Sequence, residues 1–163
     1  MNFEKTNLRK VYIKKLKEFS DSRGKVVETY LSKNFSKFKI NFIQDIFSIS
    51  KKNVLRGMHG DNKTWKLVSL VSGSAYFIVA NNDKKSDQYK KWISFNFSSS
   101  NCYQILIPPK FAVGYLALSS EIIVNYKQTT YYGDFKQFTI KYNDKDFKFK
   151  WPNKKFILSK RDM

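Results

Sequence analysis

The feature that most constrains the fold is a succession of short segments rich in β-branched and aromatic residues, several of which alternate with polar residues. Such segments favour β-strands, because alternate side chains of a strand point to opposite faces of a sheet. Turn-forming residues separate the segments, as in Asp21–Gly24 and Pro108–Pro109. Many short strands spaced about ten residues apart indicate a sandwich or jelly roll. We predict strands over Lys10–Lys14, Lys66–Val71, Ser74–Ala80, Trp92–Phe97 and Tyr103–Ile107.

Helical signals are scarce. A single helical turn is predicted over Leu31–Lys37, and the charged and aromatic segment Asp144–Trp151 fits either a loop or a short helix. No internal repeat or low-complexity linker divides the chain. We therefore predict one domain over residues 1–163, which is long enough to bury a core without disulfides or a structural metal.

The formal net charge of +18 raises the hypothesis of a nucleic-acid or acidic partner. The lysines are spread from Lys5 to Lys160 without a long unbroken block, which favours an anionic small ligand over nucleic acid. The single Cys102 cannot form an internal disulfide, and no apolar run approaches the length of a membrane span. We expect a cytoplasmic protein with no membrane and no nucleic-acid partner.

The residue inventory also narrows the chemistry. With one histidine, His59, and one cysteine, the chain does not offer the usual ligand set of a catalytic zinc or iron site. The Gly-x-Ser-x-Gly elbow and the glycine-rich phosphate loops are also missing from the sequence. We expect no metal and no cofactor.

What remains is metal-free acid–base chemistry. It needs a base, a carboxylate that orients the base, an acid on the opposite side of the substrate, and a cation where negative charge develops. The only imidazole is His59, Lys66 is a nearby cation, and Tyr126, Tyr131 or Tyr132 could supply the acid. Spacing alone does not choose among these tyrosines or identify the carboxylate.

A series of short motifs runs along nearly the whole chain. They are Asp21–Gly24 with Glu28, Phe42–Asp45, Val54–His59, Lys66–Val68, Ile107–Ala112 with Gly114, Tyr126–Lys127 with Thr129 and Tyr131–Tyr132, Trp151–Pro152, and Leu158–Asp162. In their residues and their order they resemble the dTDP-4-dehydrorhamnose 3,5-epimerase family. The resemblance implies an all-β, cupin-type jelly roll (double-stranded β-helix) with a few short helical turns. It also implies an epimerase that inverts C3 and/or C5 of a nucleotide-diphosphate-linked 4-keto-6-deoxy sugar, a hexose or heptose, in surface-polysaccharide precursor synthesis.

The resemblance assigns four catalytic roles. His59 is the base, and Asp162 holds its tautomer and orientation. Tyr126 is the acid on the opposite face of the sugar. Lys66 is the cation near the keto oxygen, although the loop between His59 and Lys66 is shorter than the family usually has.

Five further residues match substrate-binding positions of the family. Arg56 and Arg23 would hold the diphosphate, and Gln44 and Tyr132 would contact the sugar or nucleotide. In the family the residues that match Arg23 and Glu28 reach the site of a neighbouring subunit. The resemblance therefore implies a homodimer with an exchanged N-terminal segment.

Three departures from the family pattern concern the substrate. Val113 replaces a histidine, Ile46 replaces an asparagine, and Lys25–Val27 replaces a segment that often carries aromatics. They suggest a narrower reaction, such as one inversion at C3 or C5, and leave dTDP, GDP and CDP open. The alternative functions are a nucleotide-sugar 3,4-ketoisomerase and a catalytically inactive cupin that binds a sugar nucleotide; nucleic-acid binding ranks third.

Overall fold

The computed structural model describes residues 3–163, which form thirteen strands and one 3-10 helix. The 3-10 helix spans Ser32–Phe38 and lies between the fourth and fifth strands. In chain order the strands are β1 (Glu4–Lys5), β2 (Tyr12–Lys15), β3 (Lys17–Asp21), β4 (Gly24–Glu28), β5 (Gln44–Lys51), β6 (Leu55–Gly60), β7 (Lys66–Ser72), β8 (Ser74–Asn81), β9 (Trp92–Ser98), β10 (Tyr103–Ile107), β11 (Phe111–Ala117), β12 (Glu121–Gln128) and β13 (Phe138–Thr139).

The strands form two main sheets and a separate hairpin. One sheet has the order β1-β2-β10-β7-β12-β5, and the other has the order β13-β6-β11-β8-β9. Strands β3 and β4 pair only with each other. Neighbouring strands run antiparallel, and most neighbours are distant in the chain, so long connections cross between the sheets.

The largest core fills the space between the two main sheets. Its residues alternate along the strands, as expected when one face of each sheet is buried. Phe77 of the five-stranded sheet packs against Phe97 and Tyr115 with ring centroids 5.4 and 5.6 Å apart. Val68 and Val124 of the six-stranded sheet belong to the same buried cluster.

Two smaller apolar clusters cover the outer faces of the sheets. The 3-10 helix buries Phe35 against Leu67 and Leu106 on the six-stranded sheet. The segment after β13 buries Ile140 and Phe147 against the five-stranded sheet. The 3-10 helix and the segment after β13 therefore each bury apolar side chains on the outer face of one sheet.

The sequence-based strand predictions agree with the structure to within about two residues at each end. The predicted helical turn occurs as the 3-10 helix one residue later. The undecided segment Asp144–Trp151 is a loop with turns, in which Asp144 Oδ1 accepts hydrogen bonds from the backbone N–H groups of Asp146 and Phe147. The all-β prediction is confirmed.

Strands β6 and β11 approach unusually closely where two glycines meet. Gly57 has φ of +119°, and a Cβ placed on it would lie 2.5 Å from Gly114 Cα. The register of β6 and β11 shifts at this point, between the pairs Val113↔His59 and Tyr115↔Arg56. Position 57 requires glycine for two reasons: a side chain would clash with backbone atoms of β11, and the positive φ disfavours other residues.

We expect Gly57→Ala to lower the free energy of unfolding by about 1–3 kcal/mol more than Gly133→Ala, because only the first substitution adds a clash to the strain. Gly133 is a matched control: its φ is +101°, and a Cβ there would meet nothing within 4 Å. Urea titration followed by circular dichroism measures both values. Equal losses would mean that the close strand approach is not limiting.

Candidate active site

A cleft of about 190 Å³ opens between the two main sheets. Its walls come from β5, β7 and β12 of the six-stranded sheet, β6 and β11 of the five-stranded sheet, the loop around β13, and the C-terminal segment. Arginine, lysine, histidine and glutamine side chains converge in it beside a few apolar residues. The lining residues are Ile46, Ser48, Arg56, His59, Lys66, Val113, Tyr126, Gln128, Tyr132, Gln137 and Arg161.

His59 on β6 is paired with a buried carboxylate. Its Nε2 lies 2.7 Å from Oδ1 of Asp162, whose side chain is 5 % exposed. No other group among residues 3–163 donates a hydrogen bond to this oxygen, which leaves the His59 imidazole as its partner. The other oxygen of Asp162 accepts a hydrogen bond from Ser159 Oγ at 2.7 Å, which fixes the carboxylate.

Backbone pairing brings the end of the chain to His59. Ile157 forms a parallel bridge with Val54, just before β6, and accepts a hydrogen bond from the backbone N–H of Leu55 at 3.0 Å. The chain then turns between Ser159 and Asp162, where the Asp162 N–H donates to the Ser159 carbonyl. This anchoring places Asp162 beside His59 although the two residues are far apart in the sequence.

The second imidazole nitrogen of His59 contacts a hydroxyl. Nδ1 lies 3.0 Å from Oγ1 of Thr139, its partner across β6 and β13. Because the carboxylate of Asp162 can only accept, it favours the neutral ring with its proton on Nε2. Nδ1 is then the basic nitrogen.

The surroundings keep His59 neutral. Burial lowers the pKa of His59 below its ordinary value, and the positive charge of Arg161 lowers it further, while the negative charge of Asp162 opposes both. A histidine with a lowered pKa is unprotonated at neutral pH. It is therefore in the form that a general base requires.

Tyr126 faces the same cleft from the opposite sheet. It lies on β12, whereas His59 lies on β6, so the two side chains approach the cleft from different walls. Burial raises the pKa of Tyr126 well above its ordinary value. The phenol therefore keeps its proton and can donate it to a substrate held between the sheets.

Lys66 supplies a buried positive charge at the cleft. It is 7 % exposed, and burial lowers its pKa, while the nearby carboxylate of Asp61 opposes that shift. Asp61 is held in turn by the backbone N–H groups of Lys63 and Thr64, at 2.8 and 2.7 Å. A cation fixed in this way can stabilise negative charge that develops on a bound substrate.

Arg56 and Tyr132 also line the cleft, and Gln44 supports Tyr132. Arg56 Nε donates to Ser50 Oγ at 2.9 Å, which orients the guanidinium. Gln44 Oε1 accepts a hydrogen bond from the backbone N–H of Tyr132 at 2.6 Å, so Gln44 lies behind the cleft wall rather than in it.

Arg23 and Glu28 lie apart from this cleft, on the β3–β4 hairpin. The Arg23 side chain pairs with Asp21 at 2.6 Å and is 88 % exposed. The hairpin also exposes the apolar side chains of Phe19 and Val26. Within one chain, these two sequence-predicted residues do not join the other site residues.

Several cleft residues were missed by the sequence-based reasoning. Gln128 follows Tyr126 by two positions on β12, so strand alternation could have identified it. Arg161 and Gln137 come from irregular segments and are joined by a 2.7 Å hydrogen bond from Arg161 Nη2 to Gln137 Oε1. The adjacency of Arg161 to Asp162 was the only signal for that pair.

Two general properties of the described chain bear on its partners. Residues 3–163 contain no group of three or more His, Cys, Asp or Glu side chains placed to hold a metal ion. No helix in that range has the length and apolar character needed to cross a membrane.

Comparison with known proteins identifies the family. The chain is 36 % identical to dTDP-4-dehydrorhamnose 3,5-epimerase of Salmonella typhimurium over 154 residues, which covers 91 % of this chain and 84 % of the relative. A Legionella pneumophila dTDP-6-deoxy-D-glucose-3,5-epimerase, solved in complex with dTDP-4-keto-L-rhamnose, superposes with a TM-score of 0.93 at 31 % identity and covers 99 % of this chain and 89 % of its own.

A more distant structure shares the fold alone. The 3'-monoepimerase ChmJ of Streptomyces bikiniensis, in complex with dTDP-quinovose, has a TM-score of 0.91 at 18 % identity, with coverage of 99 % of this chain and 84 % of its own. The likeness to the Legionella structure confirms the cupin-type jelly roll. The sequence model of the dTDP-4-dehydrorhamnose 3,5-epimerase family matches residues 5–163, and the chain belongs to this family.

Proposed function

We propose that the chain is an isomerase that epimerises a nucleotide-diphosphate-linked 4-keto-6-deoxy sugar. The main support is that His59 and Tyr126 lie on opposite sheets and face each other across one cleft. The buried Lys66, at the start of β7, lines the same cleft. Family membership and the dTDP-sugar ligand of the Legionella relative support a dTDP-linked substrate as the first to test.

The proposed reaction follows from the acidity of carbons next to a ketone. His59 removes a proton from C3 or C5, and the electron pair of that C–H bond forms an enolate with its charge on the C4 oxygen. Lys66 stabilises this charge, in the way that fixed cations and dipoles stabilise developing anions. Tyr126 then returns a proton to the opposite face of the same carbon, which inverts its configuration.

Asp162 and the cations have separate roles in this scheme. Asp162 stabilises the imidazolium that forms when His59 takes the proton, because its carboxylate lies 2.7 Å from the ring. Arg56 and Arg161 carry positive charge into a cleft that must accept a diphosphate. A planar guanidinium suits that task because it donates two parallel hydrogen bonds.

We also propose a homodimer in which the β3–β4 hairpin reaches the cleft of the partner subunit. The hairpin pairs with neither main sheet and exposes Phe19 and Val26 at 54 % and 71 %. The edge strand β5 exposes Phe47 and Ile49 at 62 % and 59 %, which gives a second apolar surface. Burying such surfaces against another copy would remove them from water and place Arg23 and Glu28 at a second site.

Isotope exchange can separate proton removal by His59 from proton return by Tyr126. We expect His59→Asn to lower both substrate deuteration in D₂O and product formation at least ~10²-fold, because the base is lost. Tyr126→Phe should block inversion by a similar factor yet leave deuteration of unreacted substrate, since His59 can still remove a proton and return a deuteron to the same face. NMR with dTDP-4-keto-6-deoxyglucose measures both rates.

Tyr103→Phe serves as the matched control for this experiment. Tyr103 is a half-buried strand tyrosine stacked on Phe97 outside the cleft, so its variant should keep both rates. Full exchange in His59→Asn would show that another group is the base. Transfer of the carbonyl from C4 to C3 would instead indicate a ketoisomerase.

The pH dependence should reveal the two charges beside His59. We expect kcat/KM of the native chain to fall only as the pH drops below the ordinary histidine pKa of 6.5, because burial and Arg161 lower the pKa of His59. Arg161→Met should move this acid limb to higher pH, and Asp162→Asn should move it to lower pH. Arg9→Met serves as the control: it removes an exposed arginine that does not line the cleft, and it should leave the acid limb unchanged. If the acid limb moved in the same direction in Arg161→Met and Asp162→Asn, the assignment of His59 as the titrating base would be contradicted.

The exchanged hairpin can be tested by complementation. Co-expressed Arg23→Ala and His59→Asn chains should form mixed dimers in which one site has both native residues, giving about a quarter of the native sites at equal expression. Each variant alone should be much less active than this mixture. Activity no higher than the mean of the two single variants would show that Arg23 does not act across subunits.

A further inference from the structure

Each of the two proton-transferring side chains has an apolar neighbour directly across the adjacent strand. Val113 on β11 pairs with His59 on β6, and Ile46 on β5 pairs with Tyr126 on β12. Side chains at directly opposed positions of antiparallel strands lie on the same face, with Cβ atoms about 5 Å apart. Val113 and Ile46 both line the cleft, so each wall presents one apolar surface beside its proton-transferring group.

Arg56, Lys66, Gln128, Gln137 and Arg161 contribute polar groups to the lining, but most of the exposed surface of the cleft wall is apolar. Val113 and Ile46 belong to this apolar surface and lie beside the two proton-transferring groups. A sugar hydroxyl placed against either position would lose its hydrogen bonds to water and gain none from the side chain.

The two carbons next to the C4 ketone differ in what they carry. In a 4-keto-6-deoxy sugar, C5 bears a methyl group, whereas C3 bears a hydroxyl group. Inversion at C5 moves the methyl from one face of the ring to the other, and inversion at C3 does the same to the hydroxyl. Val113 and Ile46 stand on the two opposite walls, so they can contact a methyl group before and after inversion but cannot satisfy a hydroxyl.

We propose that this chain inverts C5 in preference to C3, with Val113 and Ile46 receiving the methyl group on the two faces of the sugar. This inference rests on the proposed function. His59 takes the C5 proton, the C–H electron pair forms the C4–C5 enolate, and Tyr126 gives its hydroxyl proton to the other face of C5. The phenolate regains a proton from solvent and the imidazolium releases one, so the reaction needs no further reactant.

The position of deuterium tests the proposal in the native chain. During the first turnovers of dTDP-4-keto-6-deoxyglucose in D₂O, ¹H and ²H NMR should show deuterium entering C5 at least ~10-fold faster than C3, the discrimination that one misplaced polar contact supplies. Equal rates, or faster entry at C3, would overturn C5 selectivity while leaving the epimerase intact. No exchange at either carbon, in enzyme shown to be folded, would contradict the proposed function and this inference with it.

Two substitutions test whether the apolar walls cause the selectivity. Val113→Thr keeps the shape of the side chain but adds a hydroxyl beside His59, and Ile46→Thr adds one beside Tyr126. Each should lower the C5-to-C3 ratio of deuterium entry by about 5-fold or more, through a gain at C3 or a loss at C5. Because the readout is a ratio within one sample, partial loss of folded protein does not affect it.

Ile93→Thr is the matched control. Ile93 is also a half-buried strand isoleucine, but it lies on β9 outside the cleft, and its variant should keep the native ratio. An unchanged ratio in both Val113→Thr and Ile46→Thr would show that these side chains do not set the selectivity. A ratio that falls equally in Ile93→Thr would attribute the effect to general loosening of the sheets.

Discussion

The close approach of β6 and β11 at Gly57 and Gly114 is the constraint on which the cleft depends. β6 is an inner strand of the five-stranded sheet and carries both Arg56 and His59. The contact of the two glycines accompanies the register shift between the pairs Val113↔His59 and Tyr115↔Arg56. A side chain at either glycine would separate the strands and displace the wall that carries His59.

Burial sets the protonation states of His59 and Tyr126 on the two walls of the cleft. Taking a group out of water disfavours its charged form, so one effect lowers the pKa of His59 and raises that of Tyr126. Both groups are consequently neutral at neutral pH, with a basic nitrogen on one sheet and a phenolic proton on the other. The adjacent residues Arg161 and Asp162 shift the pKa of His59 in opposite directions, Arg161 lowering it and Asp162 raising it.

The all-β fold was largely predictable because its strands are rich in β-branched and aromatic residues and are separated by turn-forming residues, and the segment 103–107 was located without error. The residue inventory pointed to His59, Lys66 and a group of tyrosines, but Asp162 was identified only through the collinear resemblance, since no local pattern links His59 to a carboxylate about a hundred positions later. The bridge between Val54 and Ile157 makes that link, and such a parallel bridge outside the main strands leaves no periodic signal. The Thr139 contact was invisible for the same reason, because β13 is only two residues long.

The arrangement separates the tasks of the two sheets from the choice of reacting carbon. The proposed acid–base chemistry requires that His59 and Tyr126 stand on opposite walls, with Lys66 near the developing charge, and this depends on topology. The proposed choice between a methyl-bearing and a hydroxyl-bearing carbon depends instead on Val113 and Ile46, which pair across the strands with those groups and line the same cleft. On this proposal, a substitution at one cross-strand position on each sheet alters which carbon is inverted, while His59 and Tyr126 stay in place.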